Sequence, residues 1–415
     1  MKILMMPPYF FPEQMSSTHL DQDRFEAYSK NNIYVEVITP TPTRGIDLHT
    51  REKYKNIKNE TLFDGHVRIH RFSMFREGKN PLLRAARYFI SNIIQYKWGI
   101  KAKKVDVIYS GSTPPIQGLL CGRVKRVLSK KYGRKVPFVY CLQDIFPDSL
   151  VNANMTQKGS VIWKIGRKIE NYTYKKADRI IVISDAFKQN LLKKGVSDDK
   201  IVVIPNWINL NEVYPVDRNK NVLFDRYNLN RNKFYICYSG NIGHSQNLGL
   251  LLKAAIKLQK KYSDICFVLI GEGAAKEDLL KIIKEKRINN IIVLPFQPYE
   301  DIAHVFSLGD AGLIISKDGI GSSSVPSKTW SIMAAGKPII ASFDLNSELS
   351  RLLYKENCGL CTNPNDVDSF IDSIKEIKRN PVKAKSMGQN GLTYIYNNLS
   401  KEKCVSDYIK VLKTK

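Results

Sequence analysis

The sequence predicts an α/β chain built as two tandem, Rossmann-like, doubly wound domains facing a cleft. Three observations carry this. The length of 415 residues exceeds the roughly 150 of a single domain and favours two of about 200. Short β-branched runs alternate with longer amphipathic segments, the pattern of a parallel sheet covered by helices on both faces. The alternation stops at Pro205 and resumes at Phe234. Apolar content of 43% with 25% charged residues is ordinary for a globular protein and excludes a disordered, collagen-like or disulfide-stapled chain.

In the first half the expected strands are Lys2–Met6, Ile33–Thr39, Val67–Phe72, Val105–Ser110, Phe138–Leu142, Arg179–Ser184 and Ile201–Ile204. Helical patterns fall between them, near Ser16–Lys30, Leu82–Lys104, Pro115–Tyr132, Ser160–Ala177 and Asp185–Lys194. Polar residues rich in Asn, Asp and Arg lead up to Lys233 and read as a linker. Strands then restart at Phe234–Ser239, Cys266–Ile270, Ile291–Leu294, Ala311–Ile315 and Pro338–Ser342, each followed by a helical pattern, with three further helices after Val367. The resulting division is 1–204, a linker at 205–233, 234–398, and a last segment, 399–415, whose helix is expected to cross back to the first domain. Ligands of such sheets bind at the carboxyl ends of the strands.

The unusual quantity is charge. Lys and Arg number 65 against 39 Asp and Glu, a net +26. Residues 1–200 hold 36 basic and 18 acidic side chains, net +18, and residues 201–415 hold 29 and 21, net +8. From Pro81 to Lys135 there are 13 Lys/Arg and one acid, Asp106. A basic half of this kind calls for a polyanionic partner: nucleic acid, an anionic lipid surface or a phosphorylated substrate. No uninterrupted apolar run reaches the roughly 18 residues of a membrane span. The start, MKILMMPPYF, is proline-broken and reads as a first strand rather than a signal peptide. Seven cysteines without framework spacing fit a reducing cytoplasm. The Cys358/Cys361 pair has no second Cys/His pair to complete a zinc site.

The most informative segment for chemistry is Gly321–Pro338, GSSSVPSKTWSIMAAGKP. It runs from a strand through small residues to Pro326, suited to a first helical turn, and stops at Gly336 and Pro338. Free amides at such a helix start, Ser327 and the charge of Lys328 together form a candidate diphosphate site. Gly240-Asn241-Ile242-Gly243 follows the first strand of the second half, and Gly271-Glu272-Gly273 follows the next. Glycines there let backbone approach a ligand closely.

These residues carry a resemblance. Gly240–Gly243, Gly271–Gly273, Pro205-Asn206-Trp207-Ile208 and Val325-Pro326-Ser327-Lys328 with Ala334-Ala335-Gly336-Lys337-Pro338 resemble family-4 glycosyltransferases of the GT-B fold. Pro12-Glu13 and Gln143-Asp144 with Pro147-Asp148 extend the likeness over nearly the whole chain, toward the bacterial surface-polysaccharide branch that includes N-acetyl-L-fucosamine transferases. The resemblance implies retaining transfer of a sugar, an N-acetylated amino sugar, from a nucleoside diphosphate, uridine being the preferred base, without a metal or other cofactor. It implies a donor site of Gly240, Asn241, Gly243, Gly271, Glu272, Ser323, Ser324, Ser327 and Lys328, with Lys328 stabilising the leaving diphosphate. The family's Glu-x7-Glu is replaced by Ser323 and Ser331, and its usual Arg and Lys by Asn241 and Gln246. Sugar and ribose contacts therefore do not carry over.

On the acceptor side Asp144 stands just past a strand and is a candidate to polarise or deprotonate the acceptor hydroxyl, or to orient it while the donor phosphate takes the proton. Asp148 and Glu13 are weaker candidates, and His19 reads as core or surface. The D-x-D pairs Asp21/Asp23 and Asp366/Asp368 fall on helices, where side chains two apart diverge. His66 and His70 alternate out along a strand and have no acidic companion suited to zinc, so no metal is expected. The basic, aromatic segment Leu82–Lys104 fits a membrane interface, and residues 82–135 become the expected contact with an anionic membrane. A lipid-diphosphate-linked saccharide acceptor on the inner face of the cell membrane explains both the charge and its asymmetry. Two other readings stand beside this one. A sugar-nucleotide 2-epimerase shares the two-domain plan but needs acid/base groups scarce here. A nucleic-acid binder suits the charge but lacks a recognisable motif, so no nucleic-acid partner is expected.

Overall fold

A computed structural model of the chain describes residues 1–13, 18–78, 80–152, 156–319 and 325–414. It divides into two compact units: Met1–Asn206 with Cys404–Lys415, and Trp207–Lys403.

The first unit holds an eight-stranded sheet: β1 (Lys2–Met5), β2 (Tyr34–Pro40), β3 (Asn59–Leu62), β4 (Val67–Phe72), β5 (Val107–Gly111), β6 (Phe138–Leu142), β7 (Arg179–Val182) and β8 (Ile201–Val203). Their order is β3-β4-β2-β1-β5-β6-β7-β8. Every pairing is parallel except β3 with β4. Ile3 sits opposite both Val35 and Val107. Strand order reverses between β1 and β5, and the loops after these two strands therefore flank the switch point where α/β sheets take ligands.

The interiors of β1, β5, β6 and β7 are buried on both faces, which is why they read as continuous apolar runs. Leu120, Val124 and Leu128, four apart on the Ile116–Tyr132 helix, pack against Ile108, Phe138 and Ile180. Gly118 and Gly122 let this helix lie tightly against the Val161–Lys176 helix. A Cβ at Gly118 would overlap Thr173, and one at Gly122 would stand 3.0 Å from the Cβ of Lys176. The last helix, Lys401–Lys413, belongs to the first unit from Cys404 onward. There the Tyr408 hydroxyl lies 3.2 Å from the Cys141 sulfur, and the Arg24 guanidinium stands over the Tyr408 ring.

Some details depart from the sequence reading. The Leu48–Lys55 helix and β3 were not expected, because neither has an apolar face. The helix buries no residue and is held by Asp47, which accepts from the Thr50 amide at 2.7 Å. β3 is fastened by the ion pair of Glu60 with buried Arg71. The helix expected over Leu82–Lys104 spans Pro81–Gly99. Its lysine-rich end carries no stop signal, yet the chain turns at Lys104, with φ of 54°, to enter β5.

The second unit holds six strands, all parallel: β9 (Phe234–Ser239), β10 (Ile265–Ile270), β11 (Ile291–Leu294), β12 (Ala311–Ile315), β13 (Ile339–Ser342) and β14 (Gly359–Thr362). The order β11-β10-β9-β12-β13-β14 reverses between β9 and β12. Most of the stretch expected as a linker belongs to this unit from Trp207 on. Leu223 and Phe224, on the short Val222–Arg226 helix, are buried against Tyr235 and Leu294. Flanking polar residues hide these two apolar anchors in the sequence.

Candidate functional site

In the second unit the loops after β9, β10 and β12 meet at the strand-order reversal. The amide of Gly240 donates to the Ile270 carbonyl at 2.9 Å, and that of Ile242 to the Glu272 carbonyl at 2.8 Å. The Lys317 amide donates to the Ser245 carbonyl at 2.9 Å, joining the loop after β12 to the loop after β9. Gly271 has φ of +152°, and a Cβ there would overlap the Gly240 carbonyl oxygen. Only glycine permits that approach. Gly243 donates its amide to Gln246 Oε1 at 2.9 Å, and Asn241 accepts from the Tyr238 hydroxyl through its carbonyl at 2.6 Å.

Lys328 opens the Lys328–Ala334 helix and reaches this cluster. A Cβ on Gly240 would stand 3.0 Å from its Nζ. The ammonium lies 3.7 Å from the centre of the ring of Tyr238, itself fully buried. A cation over a ring face is attracted by the ring quadrupole. Burial pushes the Lys328 pKa down to about 7, and an ammonium in that setting gains when an anion arrives. The sequence reading located Lys328 and the glycines but missed the ring beneath them. The usable signal is alternation: Ile236 and Tyr238 share a strand face that ends at Gly240.

The helix start itself carries less than expected. The helix has seven residues, and Ser327, exposed at its cap, makes no capping bond with its side chain. The local positive charge is therefore Lys328's own. Glu272 is exposed and paired with Lys276 at 2.6 Å. Ser323, Ser324 and the side chain of His19 lie outside the described residues.

In the free protein Lys328 loses its proton near pH 7, whereas the unfolded chain holds it to the ordinary 10.5. Between these values the unfolded state binds more protons, so unliganded stability rises with pH over that window. A bound diphosphate restores the charged form. Nucleoside diphosphate binding above pH 7 is thus expected to take up a proton and to weaken by up to about tenfold per pH unit, a phosphate's own second ionisation, near 6, being complete. Calorimetry between pH 7.5 and 9 checks this, with Lys328→Met expected to give a flat profile.

In the first unit, Asp144 follows β6. Its side chain is exposed, and its amide donates to Ser112 Oγ at 3.3 Å, as does that of Gln143 at 3.1 Å. Ser112 lies just past β5, so the Asp144 backbone is held at the carboxyl edge of the sheet. The Gln143 and Asn206 side-chain amides pair reciprocally at 3.0 and 2.8 Å. The other two acidic candidates are spent locally. Glu13 is buried and accepts from the amides of Phe10 at 3.1 Å, Thr43 at 2.8 Å and Arg44 at 2.9 Å. Burial pushes its pKa up against those three amides. Asp148 pairs with Lys194 at 2.7 Å and accepts from Asn190 at 3.3 Å. Both therefore shape loops rather than present a free carboxylate.

Of the D-x-D pairs, Asp21 is paired with Arg24, Asp366 caps the Val367–Arg379 helix, and Asp368 pairs with Lys257 at 2.6 Å. His70 contacts Asn59 at 2.7 Å and stands 3.7 Å from the Glu36 carboxylate, which is itself paired with Lys2. Cys358 is buried and Cys361 half-buried, both as free thiols whose pKa burial raises. Among the described residues no three His, Cys, Asp or Glu side chains converge on a metal position.

Comparison with known proteins gives the family. The model of "Glycosyltransferase Family 4" matches residues 25–212, and that of "Glycosyl transferases group 1" matches residues 219–394. The chain is 29% identical over 309 residues to a probable glycosyltransferase, WbjE, of Pseudomonas aeruginosa, covering 74% of this chain and 75% of the relative. It is 26% identical over 262 residues to WcaI of Escherichia coli K12, a putative colanic acid biosynthesis glycosyl transferase, covering 62% and 63%. The solved structure of Anabaena Alr3699/HepE in complex with UDP and glucose superimposes with a TM-score of 0.67 at 17% identity, covering all of both chains. The chain belongs to the glycosyltransferases of the GT-B fold, its first half matching family 4 and its second half group 1.

Proposed function

We propose that this glycosyltransferase moves an N-acetylated amino sugar from a UDP-linked donor to a lipid-diphosphate-linked saccharide, with retention at the anomeric carbon, in bacterial surface-polysaccharide synthesis. The observation that carries the reading is the position of Lys328, whose ammonium meets the Gly240 loop over the Tyr238 ring. Breaking the bond to the leaving diphosphate builds negative charge on its oxygens. A cation already placed there stabilises the transition state without reorganisation. The glycines at 240, 243 and 271 let the loops pack closely around Lys328 and are the proposed backbone contacts to the phosphates, with Asn241, Glu272, Ser323, Ser324 and Ser327 as further donor contacts. The UDP named with the superimposed HepE structure and the colanic acid biosynthesis named for WcaI support the donor and the pathway class.

Asp144 is the proposed acceptor-side group: its exposed carboxylate orients the attacking hydroxyl, and the donor phosphate receives the proton. Glu13 and Asp148 support the loops around it. The transfer is proposed to need no metal or other cofactor, Lys328 supplying the charge. Net +18 on residues 1–200 supports work at the inner face of the cell membrane, with residues 82–135 facing anionic lipid and no nucleic acid as partner. No helix among the described residues is long and apolar enough to cross a membrane.

The test is UDP release from UDP-sugars with membrane lipid as acceptor, with and without EDTA. Turnover that depends on lipid and survives EDTA is expected. Asp144→Asn is expected to lower transfer by about 10²-fold, the cost of a misplaced nucleophile, while leaving UDP affinity intact. Turnover only with a soluble nucleotide sugar and no acceptor contradicts the reading.

A further inference from the structure

Three neighbouring helices on one face of the first sheet fix the level of a second surface. Asn92 Nδ2 donates to Gln117 Oε1 at 2.6 Å, and a Cβ on Gly99 would lie 3.4 Å from Val124. The Pro81–Gly99 and Ile116–Tyr132 helices therefore run parallel, with Asn92 level with Gln117. Gly118 meets Thr173 and Gly122 meets Lys176, so the Val161–Lys176 helix is parallel too, with Thr173 at that same level. Gln117 Nε2 donates to the Met6 carbonyl at 2.6 Å, just past β1, so the level is the carboxyl edge of the sheet.

At 1.5 Å per residue, Leu82, ten residues before Asn92, stands about 15 Å beyond that edge, and Val161, twelve before Thr173, about 18 Å. Both projecting ends are apolar where a globular surface is normally polar. Leu82 is 79% exposed and Phe89 61%; Val161 is 73% exposed and Ile162 59%, with Leu83 and Ile165 exposed beside them. Pro81–Gly99 contains no acid. In the second helix the exposed Lys164 and Lys168 alternate with the apolar positions, while Arg167 is taken by Glu170. Phe146 and Pro147, in the loop that carries Asp144, lie 2.8 and 2.9 Å from a Cβ built on Gly166 of that helix.

We infer that these two helix ends together form a bilayer-docking surface. The start of the Val161–Lys176 helix, outside residues 82–135, inserts Val161, Ile162 and Ile165 among anionic lipid headgroups while Lys164 and Lys168 pair with them. This rests on the reading of a membrane-borne acceptor and adds the element that brings the Asp144 loop to the lipid surface. Apolar side chains ringed by lysine on a projecting helix match an anionic interface in both hydrophobicity and charge. Protein–protein interfaces, by contrast, are depleted in lysine.

The test is flotation of the full chain with vesicles of phosphatidylcholine, alone or containing phosphatidylglycerol. Wild type is compared with Ile162→Glu/Ile165→Glu, with Leu83→Glu/Phe89→Glu, and with Leu280→Glu as an exposed control in the second unit. Binding to the anionic vesicles only, lowered about tenfold or more by each helix variant and unchanged in the control, is expected. Unchanged binding of the Ile162/Ile165 variant overturns the inference, as does equal binding to neutral vesicles. Self-association abolished by that variant without any lipid binding also overturns it, assigning the face to a second copy. UDP-induced stabilisation read on the same samples separates failure of docking from failure of the donor site.

Discussion

Replacing Lys328 with alanine is expected to lower kcat/KM by about 10²–10³-fold, the usual cost of removing one preorganised donor from a site of developing negative charge. The loss should fall mainly on kcat, because the leaving diphosphate carries more charge in the transition state than in the bound donor. The fold is expected to survive. The ammonium is half-buried and its pKa is pushed down by desolvation alone, so removing it relieves a cost. What is lost is the contact with the Tyr238 ring, worth about 1–2 kcal/mol and offset by that relief. Steady-state kinetics and thermal melting of one preparation check both statements. A melting point lowered by many degrees would assign Lys328 a structural role instead.

Gly271→Ala is the second large effect, and it acts through backbone. The φ of +152° is unfavourable for any L side chain, and the new Cβ would overlap the Gly240 carbonyl oxygen. The two loops can relieve that overlap only by parting, which moves Gly240 away from Lys328. A loss of about 2–3 kcal/mol in stability is expected, together with more than about tenfold in nucleoside diphosphate affinity. Gly249→Ala is the matched control: a Cβ there would meet nothing nearer than Asn247 Oδ1 at 3.9 Å, and helix propensity favours alanine. Equal effects of the two substitutions, read by denaturant unfolding and UDP titration, would remove the loop contact from the account.

What the sequence made legible was what repeats or what has few chemical options. Buried parallel strands are unbroken apolar runs, so β6, β9, β11 and β12 were read to the residue; β4 was legible instead through the alternation of buried Val67 and Ile69 with Arg68 and His70. Glycine after a strand and lysine after proline likewise have few reasons to stand where they do. Elements without an apolar face escaped: Leu48–Lys55 and β3 depend on the Asp47 cap and the Glu60–Arg71 pair, long-range or local polar contacts that no period reports. Leu223 and Phe224 escaped for the opposite reason, two anchors being too few to form a pattern. Carboxylates were the hardest to read. Asp144, Asp148 and Glu13 look equivalent as residue types, and only folding shows that Lys194 and three backbone amides occupy the last two. The ring beneath Lys328 needed the register of β9 against the loop after β12, a tertiary fact.

The central claim, that Lys328 and the Gly240 loop hold a nucleoside diphosphate, is tested most directly by calorimetric titration of UDP into wild type and Lys328→Ala at pH 7.5. The expected result is saturable binding by wild type, with proton uptake, weakened by about tenfold or more in a variant that melts within a few degrees of it. Equal UDP affinity in the two proteins, or no binding by either, would contradict it.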